Sequence, residues 1–260
     1  MNIALATIAL FILLTPGLLF RRFYYSEEFS KEYFRQSYLE LFFSSIIPSL
    51  LLHVIGYFCF VAPKHEIDPE IIGTLLSGSD DANRITHAFN SLFDDAKLIL
   101  EYFFSLYILA ISFGYSSKRV IRATKLDRKL KLFRFQNEWH YLFSGEILDF
   151  PRVSGKSEDV DFSYVDVLVK SDEGSIIYMG ILADYILSKE GGLDRIYLRD
   201  VKRRYLVKDK PDNDENLYYQ MPGEFFVISA QQIINIHITY YSVSIDDTSL
   251  QAQLDRTEID

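Results

Sequence analysis

Residues 98–115, LILEYFFSLYILAISFGY, run directly into residues 116–134, SSKRVIRATKLDRKLKLFR, and then into Trp139-His140-Tyr141-Leu142-Phe143. The first part is apolar and long enough to cross a bilayer hydrocarbon core. The second is dense in Lys and Arg. The chain before this joint reads as membrane, and the chain beyond it reads as an acidic β domain. The pattern predicts an α+β membrane protein: three transmembrane helices, then a small cytoplasmic β-barrel.

Working toward the N-terminus, residues 3–20 form an uncharged apolar run that closes on Arg21 and Arg22. No basic residue precedes it, and no small-x-small cleavage site ends it, so a span fits better than a signal peptide. Pro16 and Gly17 predict a kink or an end near its inner side. Ser26 to Glu40 reads as an interfacial helix, with Ser26 as cap and Phe29, Tyr33, Tyr38 and Leu41 at helical spacing. Residues 41–62 are the second span. Its Ser44, Ser45, Ser49 and Gly56 suit close helix contacts and interhelical hydrogen bonds. Residues 63–97 form an outer loop. Asp68-Pro69 starts a short helix there, and Asp81 starts a second, amphipathic one.

Charge sets the orientation. Arg21, Arg22, Lys31 and Arg35 lie between spans one and two. Lys118, Arg119, Arg122, Lys125, Arg128 and Lys129 come after span three, in a basic helix extension over 116–134. The positive-inside bias places the N-terminus outside and everything after Tyr115 in the cytoplasm. The bilayer is then the first partner. The basic residues are topology signals that snorkel onto anionic lipid, a docking face for the acidic barrel of a neighbouring subunit, or a site for nucleic-acid or nucleotide phosphate.

Beyond residue 135 the period changes. Strand candidates are Tyr164–Lys170, Ser175–Leu182, Ala183–Ser188, Arg195–Val207, Glu224–Ser229 and Ile233–Tyr241. The breaks fall at 172–174, 191–192, 211–216 and 222–223. The closing strand is read with Ile234, Ile236, Ile238 and Tyr240 toward a core. The barrel spans 135–245, and 246–260 is a polar tail.

Few residues suggest chemistry. The single cysteine, Cys59, rules out an intrachain disulfide and reads as a small buried hydrophobe. A net charge of −9 argues against nucleic acid as the main partner. His53, mid-span, is either a proton-sensitive group in a bundle or pore, or a neutral His bonded to a nearby Ser, Tyr or carbonyl. Glu101 meets water at the outer interface or pairs with an outer-loop cation. Trp139 and Tyr141 pack a helix end onto the barrel or stack a ligand. Lys202, Arg203 and Arg204 form a basic patch, read as a charged strand edge or an anion site. His140 and His237 stand apart. No HExxH, phosphate loop, GxSxG or ligand cluster occurs, so neither an enzyme, a metal nor a cofactor is predicted.

The order of features resembles a known group. Thr15-Pro16-Gly17 closes the first helix, and further spans come next. Asn137-Glu138-Trp139-His140-Tyr141-Leu142-Phe143 then precedes a strand pair carrying Val165, Val167, Gly180 and Tyr185. Ile196-Tyr197-Leu198 and a closing strand come after it. This is similar to the bacterial membrane proteins grouped as domain of unknown function 6338. The resemblance implies spanning helices with an SH3-like barrel in the cytoplasm, and no established reaction. The expectation is a bacterial inner-membrane anchoring, sensing or interaction module that self-associates or binds a protein partner. The alternative is an oligomeric, pore-forming or depolarising effector of a stress or anti-phage response.

Overall fold

The apolar runs fold as three helices long and apolar enough to cross a membrane, over Ala6–Tyr24, Tyr38–Val61 and Ala96–Ala123. The structure is a computed structural model; it describes residues 3–61, 68–77, 81–171, 174–206 and 218–243. The chain divides into two units, Met1–Gln136 and Asn137–Asp260. The 246–260 tail and the 211–216 break lie outside the described residues, as do positions 172 and 173 of the first turn.

In the first unit α1 is Ile3–Tyr24, α2 Ser30–Arg35, α3 Tyr38–Gly56, α4 Pro69–Ser77, α5 Ala82–Asp94 and α6 Ala96–Ala123. The expected interfacial helix over 26–40 is broken. A 3₁₀ turn, Glu27–Phe29, leads into the short α2, and α3 starts afresh. The break is at Ser37, whose hydroxyl accepts from Glu40 N–H while the Glu40 carboxylate accepts from Ser37 N–H. That reciprocal box makes Ser37 a stronger helix start than Ser26, whose side chain caps nothing. Asp68 and Asp81 act as read: each accepts from the backbone N–H two residues on, opening α4 and α5.

Small residues set the helix spacing. A Cβ on Gly17 would run into the Ser45 carbonyl and into Ser49, so α1 and α3 touch backbone to backbone. Leu52, Leu106 and Ala110 fill the centre of the bundle. Cys59 is exposed, contrary to the reading as a buried hydrophobe. The exposed positions of this helix are apolar as well, Phe43, Ile47 and Leu50 among them, so apolarity does not predict burial there.

The 116–134 extension is also corrected. α6 ends at Ala123, and Lys125 takes a left-handed conformation, φ 56°. A four-residue helix α7, Leu126–Lys129, and a 3₁₀ turn, Lys131–Phe133, continue the chain.

In the second unit a short helix α8, Glu138–Phe143, precedes an antiparallel sheet of six strands: β1 Phe162–Ser171, β2 Gly174–Leu187, β3 Leu193–Tyr205, β4 Tyr219–Gln220, β5 Phe226–Ser229 and β6 Ile233–Tyr241. Strand order is β4-β3-β2-β1-β6, with β5 also on β3, and no pairing among the described residues closes the sheet into a barrel. Two expected strands, 175–182 and 183–188, are one continuous β2. Nothing between Leu182 and Ala183 stops the strand; a shift of register between Leu182 and Asp184 absorbs the change of period. A second shift lies opposite Asp200, φ 52°. There a Cβ on Gly180 would sit 2.7 Å from the Arg199 carbonyl, so the bulge needs glycine on the facing strand.

Val165, Val167, Ile196, Leu198 and Ile228 form the dry core, with Phe143 of α8. In β6 the inner positions are Ile233, Ile236 and Ile238, while Ile234 is 49% exposed. Pairing slips between Leu168 and Val169, from Asn235 to Ile233, which turns Ile234 outward.

Candidate functional site

Two polar clusters lie inside the helical unit. In the first, Pro16 lies inside α1 and has no N–H to donate to the Ile12 carbonyl of the preceding turn, four residues back. The Leu13 carbonyl in this turn accepts from two side chains of α3: the Ser49 hydroxyl and His53 Nε2, the latter at 2.9 Å. On its other side His53 Nδ1 lies 2.8 Å from the Tyr102 hydroxyl of α6. A carbonyl only accepts, so Nε2 carries a proton; in the neutral imidazole Nδ1 then accepts from the Tyr102 hydroxyl. One neutral imidazole thus satisfies both contacts and ties three helices together. The two partners are a Tyr hydroxyl and a backbone carbonyl, of the kinds read for a hydrogen-bonded His53.

The second cluster lies where α1 and α6 end. Along α6 the buried residues Leu106, Ala110, Gly114 and Lys118 recur every four residues. The stripe therefore carries Lys118 inward. Its ammonium donates to the Ser26 carbonyl at 3.0 Å and to the Glu27 and Glu28 carboxylates at 2.7 and 3.3 Å. One turn on, Arg122 donates to Asp127 at 2.8 Å and lies 3.8 Å from Glu28. Asp127 is fully buried. Both cations lie over the Phe29 ring, which stacks on Phe135 at 4.0 Å. Lys118 holds the Glu27 carboxyl below the usual carboxylate range, first by the hydrogen bond and then by its charge. Burial pushes the neighbouring Tyr25 hydroxyl up.

This corrects the reading of the basic run as one outward face. Lys118, Arg122 and Arg128 point into the protein, and Lys125 is half-buried; Arg119 and Lys129 are exposed. Glu27, Glu28 and Asp127 are the residues that reading missed. The four-residue stripe ending on Lys118 is the available signal, since a cation on a buried face requires carboxylates. Glu101 is exposed and lies 4.0 Å from Lys97, the last cation of the outer loop, one turn back.

In the sheet unit the Tyr141 side chain is 1% exposed, which leaves no face for a ligand to stack on. Trp139 stacks on Phe143 at 5.2 Å and packs against the core. Two bonds seat α8: the Ser163 hydroxyl donates to the Phe143 carbonyl, and the Tyr240 hydroxyl to the Leu142 carbonyl, both at 2.6 Å. Lys202, Arg203 and Arg204 are consecutive in a strand and so alternate between its faces. Arg203 lies over Tyr219 and Arg204 over Tyr218, so aromatic rings, not one another, surround these cations. The two histidines have carboxylate neighbours: His140 lies 3.8 Å from Glu146, and His237 lies 3.4 Å from Asp166, its partner in register. Among the described residues no group of three His, Cys, Asp or Glu is placed to hold a metal ion.

No family model, no curated protein and no solved structure matches the chain.

Proposed function

We propose that the protein is a bacterial inner-membrane anchoring and interaction module. Three spans hold its C-terminal domain in the cytoplasm, where that domain engages a protein partner or a second copy. The supporting observation is where the bundle uses its polar groups. Ser45, Ser49 and Gly56 of α3 are buried, and His53 is bonded within the monomer. The outward face of α3 presents Phe43, Ile47, Leu50, Leu51 and Val54. An apolar face suits lipid, whereas a pore-forming helix would present polar groups outward to line a channel with other copies.

The C-terminal domain is read as an SH3-like barrel. In support, β5 lies on β3 and β6 on β1, joined by a single 3₁₀ turn, Ala230–Gln232, and β2 and β3 are long strands with shifts of register that promote coiling. This arrangement fits the resemblance to domain of unknown function 6338. The orientation rests on the excess of Lys and Arg after Tyr115 and between the first two spans.

The test is a pair of reporter fusions in a bacterial host. A fusion after Asp260 is active only with a cytoplasmic reporter, and one between α4 and α5 only with a periplasmic reporter. The reverse pattern sinks the orientation. A membrane-potential dye used on the same cells separates the pore-forming effector: depolarisation on expression would replace the anchor reading.

A further inference from the structure

We propose that residues 129–132, Lys-Leu-Lys-Leu, form a wedge that inserts its leucines into the cytoplasmic leaflet and places its lysines on anionic lipid headgroups. This rests on the membrane-anchored reading above. The left-handed turn at Lys125 stops α6 and sends the chain back toward the bundle. The return is fixed at its far end. Phe135 is 3% exposed, stacks on Phe29 at 4.0 Å, and has its ring 5.4 Å from that of Tyr24, the last residue of α1. Within the return, Arg134 donates to the Arg128 carbonyl at 3.2 Å, and Phe133 N–H bonds the Leu130 carbonyl at 3.1 Å. The segment therefore lies at the level where the first span ends, which is the headgroup region.

At that level it presents apolar side chains outward. Leu132 is 87% exposed and Leu130 48%. Lys129 and Lys131, beside them, are exposed as well. The basic residues Lys118 and Arg122 nearby are held by internal carboxylates, whereas this segment carries positive charge outward together with apolar surface. Alternating lysine and leucine at a bilayer surface matches an anionic leaflet on both counts: the stems and leucines bury among acyl chains, and the ammonium groups meet phosphates. Each lysine near such a surface favours the docked state about fivefold.

The test uses the full chain in lipid vesicles. Trp139 is the sole tryptophan, so Trp139→Phe gives a dark background. Leu132→Trp is placed in it as probe, Leu130→Trp as its replicate, and Phe104→Trp, exposed near the middle of the third span, as the depth control. The expected result is quenching of Leu132→Trp by lipids brominated near the headgroup and of Phe104→Trp by lipids brominated deep in the chain. Quenching at 132 should be stronger in phosphatidylglycerol than in phosphatidylcholine vesicles. Lys129→Gln with Lys131→Gln should remove that difference, with the docked-to-undocked ratio falling about fivefold per lysine. If Phe104→Trp is quenched and Leu132→Trp is not, the wedge is wrong and the anchor stands; blue-shifted but unquenched emission would mean that protein covers the loop. If neither is quenched, the anchor reading falls with it. Equal quenching in the two lipids overturns the anionic preference.

Discussion

The two units solve the same packing problem with opposite materials. The sheet unit buries Val165, Val167, Ile196, Leu198 and Ile228 and keeps His237 and most of its charges outside. The helical unit buries Ser45, Ser49, Lys118 and Asp127 and presents Phe43, Ile47, Leu50 and Phe104 outward. In water, removing apolar area from solvent is the driving force, so a core is recognised by its apolarity. A helix surface facing acyl chains gains nothing by hiding leucine. There the inside is marked by residues that let backbones approach and by polar groups that need partners. The contrast predicts that one type of substitution has different consequences in the two units.

The largest effect is expected in the sheet. Val167 is fully buried, and Val167→Asp would place a carboxylate in the dry core. Burying an unpaired ion costs several kcal/mol, comparable with the whole ~5–15 kcal/mol stability of a domain. The sheet unit should lose its near-ultraviolet dichroism and become open to protease in the otherwise intact chain. Val227→Asp, on a half-exposed side chain of β5, should leave both unchanged. A folded Val167→Asp protein would break the assignment of this strand face to the core.

A smaller effect separates two glycines of the helical unit. At Gly17 a new methyl would meet the Ser45 backbone, which has no flexible end to move aside; at Gly73 of α4 nothing lies within 4 Å. Gly17→Ala should destabilise the bundle by about 1–3 kcal/mol through overpacking. Gly73→Ala should stabilise its helix by up to about 1 kcal/mol, because alanine loses less backbone freedom. Denaturant unfolding in micelles, followed by far-ultraviolet dichroism, reads both. Equal shifts of the same sign would mean that the close contact of α1 with α3 is not formed.

The same contrast decides how much of the molecule is legible in its sequence. The three long helices are visible because residues 3–20, 41–62 and 98–115 are continuous apolar runs, a signal that survives without any knowledge of packing. The strands of the sheet are visible from alternation, which fails where register shifts break it, at Leu182–Ala183 and at Ile234. The second polar cluster is not visible. Lys118 looks like its neighbours Arg119 and Lys125 in composition; only its place four residues beyond Gly114 sets it apart, and its carboxylates lie about ninety residues away in sequence. Long-range pairing of charges leaves no local period. His53 is intermediate: a mid-span histidine announces that it needs partners, but not that Leu13 and Tyr102 supply them.

The smallest expected effect tests whether that buried-charge end of the bundle behaves as the paired structure requires. Lys118 holds the Glu27 carboxyl below its ordinary range in the folded protein, chiefly through the 2.7 Å hydrogen bond. A carboxylate depressed on folding binds its proton more readily in the unfolded chain. Its contribution to stability is therefore complete above the ordinary glutamate range, near pH 4.3, and is lost as pH falls through the lower folded value. Glu27 also sits in a left-handed backbone conformation, φ 55°, which the bonds from Lys118 to the Ser26 carbonyl and the Glu27 carboxylate hold in place. The Glu27 side chain is 63% exposed, so solvent screens the pair and the effect is small. Glu27→Gln removes the titration without emptying the site of Lys118, which keeps Glu28. Stability of the parent measured from pH 6 downward should bend more steeply below about pH 4.3 than that of Glu27→Gln, and high salt should reduce the difference. Parallel curves at low salt would mean that Glu27 is not held by Lys118, and that the inward turn of α6 at this end is not supported by charge.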